Sequence, residues 1–166
     1  GKLWVPQYLI DCFNKEVNHS TKEKGLKVIS SKTVTHEIFG DKYKDVKIVS
    51  NKLKGRVYYL VSGHGGPDPG AVGTCQGKSI CEDEYAYDIT LRLGRKLVEQ
   101  GAIVYMIVRD NNDGIRDVSL LKCDKDEVTY PKKKIPLNQV KRLNQRANAI
   151  NVLYKKHKKQ GVTYQR

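Results

Sequence analysis

The amino-acid sequence predicts an α/β fold, a three-layer αβα arrangement around a twisted, largely parallel sheet that remains incomplete within these 166 residues. Two apolar runs of strand length, Val57–Val61 and Ala102–Val108, are continuous, as in parallel strands buried on both faces. Between them a helical pattern extends from Glu82 to Gln100 and ends at Gly101. Strand, helix and strand in this order predict a right-handed βαβ unit with a parallel pair of strands.

The helices are expected to face the sheet through apolar residues at helical spacing. In the first helix these residues are Tyr85, Ala86, Ile89, Leu93 and Leu97. A second helix is predicted from Leu137 to Lys159, and Val162–Tyr164 has the composition of a third strand. The expected core face of the second helix consists of Val140, Leu143, Ala147, Ile150 and Leu153 or Tyr154.

Two polar regions lie outside this unit. Residues 1–55 are lysine-rich and weakly patterned, with short strand-like stretches at Leu26–Ser30 and Asp45–Asn51. We interpret them as an N-terminal appendage or linker that precedes a main domain at residues 56–166. The segment Asn111–Pro136 is predicted to be a long loop, which either shapes a substrate groove or is a solvated insertion.

The charge of the chain favours an anionic partner, since its formal net charge is +13. The densest basic runs, Pro131–Lys134 and Lys155–Lys159, lack aromatic residues spaced for base stacking, so a nucleic acid is not expected. The charge can also reflect a basic surface that only contacts solvent, or a partner such as an anionic cell-wall polymer or a phospholipid head group.

No apolar run approaches the ~20 residues of a membrane-spanning helix. The chain begins with Gly1 and shows no signal peptide, which fits a removed leader or an excised piece.

The four cysteines leave the cellular compartment open. They contain no C-x-x-C pair, so a structural zinc knuckle is not expected. Cys75 and Cys81 bracket a short loop, and they either form a disulfide in an oxidising compartment or are free buried thiols.

The stretch Gly63–Ala71, GHGGPDPGA, places a single histidine after the first predicted strand. Ligand sites of open parallel sheets lie at the carboxyl ends of strands, and the glycines and prolines around His64 make an open, stiff loop. Glu82 begins the next helix and shares a face with Tyr85 and Ile89, so its carboxylate is expected to point inward at the same edge of the sheet. An imidazole and a carboxylate that converge there form a candidate metal pair.

Each of these features also has a simpler interpretation when taken alone. The helix dipole favours acidic residues at helix N-termini, and a histidine in a turn often has a structural role. The run Gly73–Ser79 resembles a phosphate-binding P-loop, but it has one residue too few between its glycines and does not directly follow a strand. We therefore favour the metal pair over a nucleotide site.

The same residues resemble the zinc-dependent N-acetylmuramoyl-L-alanine amidases of the amidase 3 family. The loop GHGGPDPGAVG, Gly63–Gly73, is similar to the family's first loop throughout. The run EDEYAYDITLRL is similar to the family's first helix and aligns Glu82 with the ligand glutamate. Val104–Asp110 resembles the second strand and Leu143–Asn151 a later helix, so the resemblance covers roughly residues 56–166.

This resemblance implies a peptidoglycan hydrolase that cleaves the amide bond between N-acetylmuramic acid and L-alanine with zinc-activated water. His64 and Glu82 would be two of three zinc ligands, and a glutamate would act as general base. The partner would be peptidoglycan, and the location would be the periplasm or, for a secreted protein, the cell envelope.

The resemblance also implies parts of the site that this sequence lacks. The third ligand, a histidine in an S-x-H segment, and the catalytic glutamate would both lie beyond Arg166. Residues 56–166 are therefore expected to be the N-terminal part of the catalytic domain and to be inactive on their own. His157 is expected to be solvated, and His19 and His36 belong to the polar N-terminal region, so none is expected to replace the third ligand.

One alternative function belongs to a different class, a non-catalytic cell-wall-binding module with a degenerate metal site. The opening GKLWVP, Gly1–Pro6, resembles the tail of a LysM wall-binding repeat, so the N-terminal region is expected to follow such a repeat. A basic nucleic-acid binder ranks third.

Overall fold

A computed structural model of the protein describes residues 32–166. At its centre β3 (Val57–Leu60) and β6 (Ile103–Met106) pair in parallel. Helix α1 (Glu82–Glu99) joins the two strands. The predicted βαβ unit is confirmed, and the α/β class with it.

The chain after helix α2 (Gln139–Lys159) lies beside β3 on the side opposite β6. The Val57 N–H donates to the Tyr164 carbonyl at 3.1 Å, and the Arg166 N–H donates to the Val57 carbonyl at 2.9 Å. These are parallel contacts. The third strand expected at Val162–Tyr164 does not form over these residues. A single parallel bridge, between Gln165 and Val57, stands in its place.

The two helices lie on opposite faces of this sheet. Leu60 belongs to the core cluster that contains Leu91 of α1. Val57, which faces the other way on the same strand, belongs to the cluster that contains Leu153 of α2. Gly94 of α1 lies against the sheet, where an added Cβ would lie 3.4 Å from Leu60 Cδ1.

Residues before β3 contribute to the α1 side of the core. Strands β1 (Thr33–Thr35) and β2 (Asp45–Lys47) pair in antiparallel fashion, and a short 3₁₀ helix, Glu37–Phe39, lies between them. Phe39 and Val46 are fully buried in the cluster that also holds Leu91. Hydrophobic burial thus ties residues 33–47 to the βαβ unit.

The predicted division of the chain near residue 55 stays a prediction. The expected strand at Leu26–Ser30, the LysM-like opening at Gly1–Pro6 and His19 lie outside the described residues.

A β-hairpin lies between β3 and α1 along the chain. It consists of β4 (Val72–Cys75) and β5 (Lys78–Cys81), joined by Gln76 and Gly77. Both turn residues have positive φ, 50° and 73°, as the tight turns of two-residue hairpins require. The run that resembled a P-loop is therefore the body of a hairpin.

The long segment Asn111–Pro136 is packed against the domain. Arg109 at the end of β7 (Val108–Arg109) pairs with β8 (Val128–Thr129), and β8 pairs with β9 (Lys133–Lys134). The segment buries three apolar side chains, Ile115, Leu121 and Ile135. Its backbone is mostly irregular, but its side chains belong to the core.

The expected core face of α1 is wrong. Ile89 and Leu93 are exposed, at 66% and 50%, while Tyr87, Leu91 and Val98 are buried. The buried face also carries charged side chains, Glu84 and Asp88, which bind Arg116 from the long segment. Because charged residues interrupt the buried face of α1, the apolar pattern of the sequence pointed to a different face of the helix.

The expected core face of α2 is also wrong in its first half. Val140 and Leu143 are exposed, while Arg142 and Arg146 are buried. His157, expected to be solvated, is only 4% exposed, and its Nδ1 lies 2.8 Å from the Tyr59 hydroxyl. Neither of the helices in the described part of the chain is long and apolar enough to cross a membrane.

Candidate active site

The loop after β3 has a backbone conformation that few sequences adopt. Three successive residues have positive φ: His64 at 58°, Gly65 at 108° and Gly66 at 64°. The glycines adopt such angles at no steric cost, but a residue with a Cβ does not. Strain of this kind persists where surrounding contacts hold the backbone in place, and it is common at functional sites.

The structure brings the two sequence-predicted site residues together. His64 Nε2 lies 3.5 Å from Glu82 Oε2, at the junction of the loop and the start of α1. The Ala71 N–H donates to the same carboxylate oxygen at 2.9 Å. Glu82 does not point inward as expected, since half of its side chain is exposed. It reaches His64 because the loop folds over the first turn of the helix.

A glycine makes this contact possible. At Gly70, an added Cβ would lie 2.7 Å from Glu82 Oε2 and 2.8 Å from ring carbons of His64. Both distances are shorter than real Cβ contacts, and the residue also has a φ of 68°. The loop therefore forms a close cradle around the imidazole and the carboxylate that only glycine at this position permits.

The other imidazole nitrogen faces a second carboxylate. His64 Nδ1 lies 3.2 Å from Asp68 Oδ2, and Arg142 Nη2 donates to that same oxygen at 2.8 Å. Partial burial would raise the pKa of Asp68, but the hydrogen bond with His64 and the charge of Arg142 together hold it below its ordinary value. Asp68 thus stays ionised and orients the ring.

The donor set fits a zinc ion. Two ligand atoms at tetrahedral positions, each about 2.1 Å from the ion, lie about 3.4 Å apart. The separation of His64 Nε2 and Glu82 Oε2 is close to this value. A carboxylate on the far nitrogen of a ligand histidine, as Asp68 provides, is the usual outer partner in zinc sites.

Two buried arginines of α2 hold the loop from the side of the second helix. Arg146 donates to the His64 carbonyl and, at 3.4 Å, to the Ser62 carbonyl. Arg142 binds Asp68 and donates to the Leu137 carbonyl at 2.6 Å. Sequence reasoning missed this role, although the i, i+4 spacing of the two arginines places them on one helix face.

The long segment reaches the loop from another direction. Glu127, which is 4% exposed, accepts a hydrogen bond from the Gly66 N–H at 2.6 Å. Its carboxylate lies among other acids, since ligand atoms of Glu84, Asp124 and Glu127 fall within 4.8 Å of one another. Burial, together with the charges of Asp83 and Glu84, raises the pKa of Glu127 to about 7. No pattern in the sequence singled out this residue.

A disulfide fastens the same segment to the start of α1. Cys81, the residue before Glu82, is bonded to Cys123. Cys81 is therefore neither bonded to Cys75 nor a free thiol, so both expectations are wrong for this residue. Cys75 is a free thiol and is half-buried. Cys81 instead finds its partner across 42 residues, a separation that short-range spacing cannot reveal.

Comparisons with known proteins agree with the family resemblance of the histidine loop and of α1. A family model described as N-acetylmuramoyl-L-alanine amidase, amidase 3, matches residues 59–158. The chain is similar to the germination-specific N-acetylmuramoyl-L-alanine amidase of Bacillus subtilis (strain 168), with 43% identity over 61 residues. That match covers 37% of this chain and 24% of the Bacillus protein, so the chain spans about a quarter of the relative's length. No solved structure matches the chain. The matched region includes the histidine loop, α1 and most of α2, and the chain belongs to the amidase 3 family of N-acetylmuramoyl-L-alanine amidases.

Proposed function

We propose that the protein is a peptidoglycan amidase that hydrolyses the bond between N-acetylmuramic acid and the L-alanine of the stem peptide. The observation that carries this proposal is the contact between His64 Nε2, in the loop after β3, and Glu82 Oε2, at the start of α1, both inside the region that the family model matches. Residues 56–166 would form the N-terminal part of the catalytic domain. The name of the Bacillus relative supports the same reaction.

His64 and Glu82 would hold a zinc ion. Such an ion would polarise the scissile carbonyl and lower the pKa of a water molecule, which is the chemistry that amide hydrolysis needs. His64 offers Nε2 for this role because Nδ1 is engaged by Asp68. Arg142 neutralises Asp68 and keeps it in place, so the imidazole is presented in one orientation.

A catalytic zinc site normally takes three protein ligands. Of the other described histidines, His157 lies between the hydroxyls of Tyr59 and Tyr105, and His36 packs on Phe39. Neither histidine is therefore proposed as the third ligand. The family resemblance places the third ligand and the general base in other parts of the whole protein, and we adopt that assignment.

The protein would act in the cell envelope, either in the periplasm or as a secreted protein, where its substrate lies. The disulfide between Cys81 and Cys123 supports this location, because disulfides persist in oxidising compartments. The basic surface that the net charge of +13 implies suits an anionic wall polymer.

The test is release of stem peptides from purified peptidoglycan by the whole protein, with and without a chelator. We expect the release to require metal and to fall by at least about 100-fold in His64→Ala and in Glu82→Gln, because each removes a ligand. His36→Ala and Glu37→Gln serve as matched controls, since both side chains lie away from the loop. Wall binding without release, insensitive to the chelator, would instead indicate a non-catalytic binding module.

A further inference from the structure

We infer that Glu127 is a positioning residue, which fixes the backbone of the loop His64–Gly66 and thereby the direction of the His64 imidazole. The inference rests on the proposed function only in that His64 is taken as a metal ligand. The contact itself is independent of that assignment, since it joins a buried carboxylate to a backbone amide.

The loop needs support from outside its own sequence. His64, Gly65 and Gly66 all have positive φ, and His64 bears the steric cost of a side chain in that region. Within the loop, one pair of backbone contacts joins Gly65 and Asp68, at 2.8 Å and 3.4 Å. These two hydrogen bonds do not reach the Gly66 amide or the His64 carbonyl, which are held by side chains from elsewhere.

Two side chains, one from α2 and one from the long segment, hold two successive peptide groups. Arg146 donates to the His64 carbonyl, which belongs to the peptide between His64 and Gly65. Glu127 accepts from the Gly66 N–H, which belongs to the next peptide. The two hydrogen bonds lie on either side of Gly65, so together they fix the planes of both peptide groups. The bond from Arg146 has a charged donor, which makes it stronger than a neutral hydrogen bond.

The backbone also packs against Glu127. An added Cβ at Gly65 would lie 3.2 Å from Val108 Cγ1 and 3.7 Å from Glu127 Cβ. The loop therefore rests directly on β7 and on the side chain of Glu127. The φ of 108°, together with this close approach, accounts for a glycine after the histidine.

Glu127 is itself fixed on both sides along the chain. The next two residues, Val128 and Thr129, pair with β7, and Cys123, four positions earlier, is bonded to Cys81. Cys81 directly precedes Glu82, the other candidate ligand. The long segment thus connects the backbone of one ligand residue with the backbone of the other.

The first measurement is amide hydrogen exchange at Gly66 in the whole protein. We expect Glu127→Ala to raise the exchange rate of this amide by at least about tenfold, because its acceptor is lost. Glu127→Gln keeps a carbonyl acceptor of the same size and should stay within about threefold of the wild type. Asp126→Ala removes a neighbouring exposed acid that does not contact the loop, and it is the matched control.

The second measurement is zinc affinity by competition with a chelator. Loss of a supporting group around a metal ligand typically costs 10–100-fold in metal affinity, and we expect a loss in that range for Glu127→Ala with recovery in Glu127→Gln. Unchanged exchange at Gly66 in Glu127→Ala would overturn the inference. So would increased exchange accompanied by zinc affinity within twofold of the wild type. A wild-type protein that binds no zinc contradicts the proposed function, and in that case the exchange result alone decides whether Glu127 holds the loop.

Discussion

At the scale of single residues, the imidazole of His64 lies between two carboxylates, one on each ring nitrogen. Glu82 faces Nε2 and Asp68 faces Nδ1, and the two acids have different surroundings. Asp68 is neutralised by Arg142, whereas half of the Glu82 side chain is open to solvent. This asymmetry fits the proposed roles, in which Asp68 orients the ring and Glu82 binds the metal.

The orienting role of Asp68 predicts the effect of its removal. We expect Asp68→Asn to lower the zinc affinity of the whole protein by about 10–100-fold, because the ring loses its charged partner. Chelator competition measures this affinity. Asp117→Asn is a suitable control, since Asp117 also binds basic side chains, Lys42 and Arg92, but lies away from the loop. Equal zinc affinities for Asp68→Asn and the wild type would contradict the role.

The cradle at Gly70 predicts a difference between two glycine substitutions. Gly70→Ala and Gly77→Ala place a side chain at nearly equal positive φ, 68° and 73°, so the backbone strain alone should cost each variant about 1–2 kcal/mol of stability. An added Cβ at Gly77 meets nothing within 4 Å, whereas the one at Gly70 clashes with His64 and Glu82. We therefore expect only Gly70→Ala to weaken zinc binding, by at least about tenfold.

Both variants are measured by urea unfolding and by chelator competition. Zinc binding that is equally weakened in Gly77→Ala would mean that backbone strain, and not the clash, is responsible. Retained zinc affinity in Gly70→Ala would show that the loop can move aside.

The sequence predicted only part of this residue-scale arrangement. His64 and Glu82 were identifiable because a strand end and the following helix start meet at one edge of a parallel sheet. Arg142 and Glu127 were not, because their partners Asp68 and Gly66 lie 74 and 61 positions away. Contacts of that separation depend on tertiary packing, which leaves no periodic signal in one sequence.

At the scale of elements, the long segment Asn111–Pro136 is attached to the rest of the domain by a disulfide as well as by its buried side chains. Cys81–Cys123 closes a loop of 42 residues, for which the chain-entropy model gives about 4 kcal/mol of stabilisation. We expect Cys123→Ser to lower the free energy of unfolding by about that amount.

Urea unfolding under non-reducing conditions tests this expectation. Cys75→Ser is the matched control, because Cys75 is free and its substitution should change stability by less than about 0.5 kcal/mol. A similar loss in both variants, or no loss in Cys123→Ser, would argue against a stabilising disulfide.

The limits of the helices were easier to predict than their faces. The predicted helix Glu82–Gln100 ends one residue from the observed Glu99, because Gly101 stops the helix clearly. Its buried face was missed because Glu84 pairs with the Arg116 guanidinium and Asp88 accepts from the Arg116 backbone N–H, 32 and 28 positions away. A charged side chain counts as exposed in a single sequence until its partner is known.

At the scale of the whole molecule, a strongly basic chain keeps several acids inside. Burial raises the pKa of Glu127 to about 7 and those of Asp83 and Asp110 to about 6. The folded state therefore binds protons more tightly than the unfolded state in this pH range. Stability from these groups is present in acid and is lost as pH rises through the raised pKa values.

We expect the free energy of unfolding to fall between about pH 4.5 and pH 7, with a smaller slope in Glu127→Gln. The reason is that glutamine has no proton to lose in this range. Urea unfolding at several pH values, in the presence of a chelator, measures the slope. Glu37→Gln, which removes an exposed acid, should keep the wild-type slope. Identical slopes for Glu127→Gln and the wild type would contradict the raised pKa.

The hairpin β4–β5 has a practical consequence. It is the connection between His64 and Glu82, and its tip at Gln76 and Gly77 lies on the surface, with open space around Gly77. Doubling the length of a flexible connection costs only about 0.6 kcal/mol in loop-closure entropy. The tip is therefore the natural point for inserting a fluorescent or affinity label, which would report on wall attachment while leaving the two candidate ligands in register.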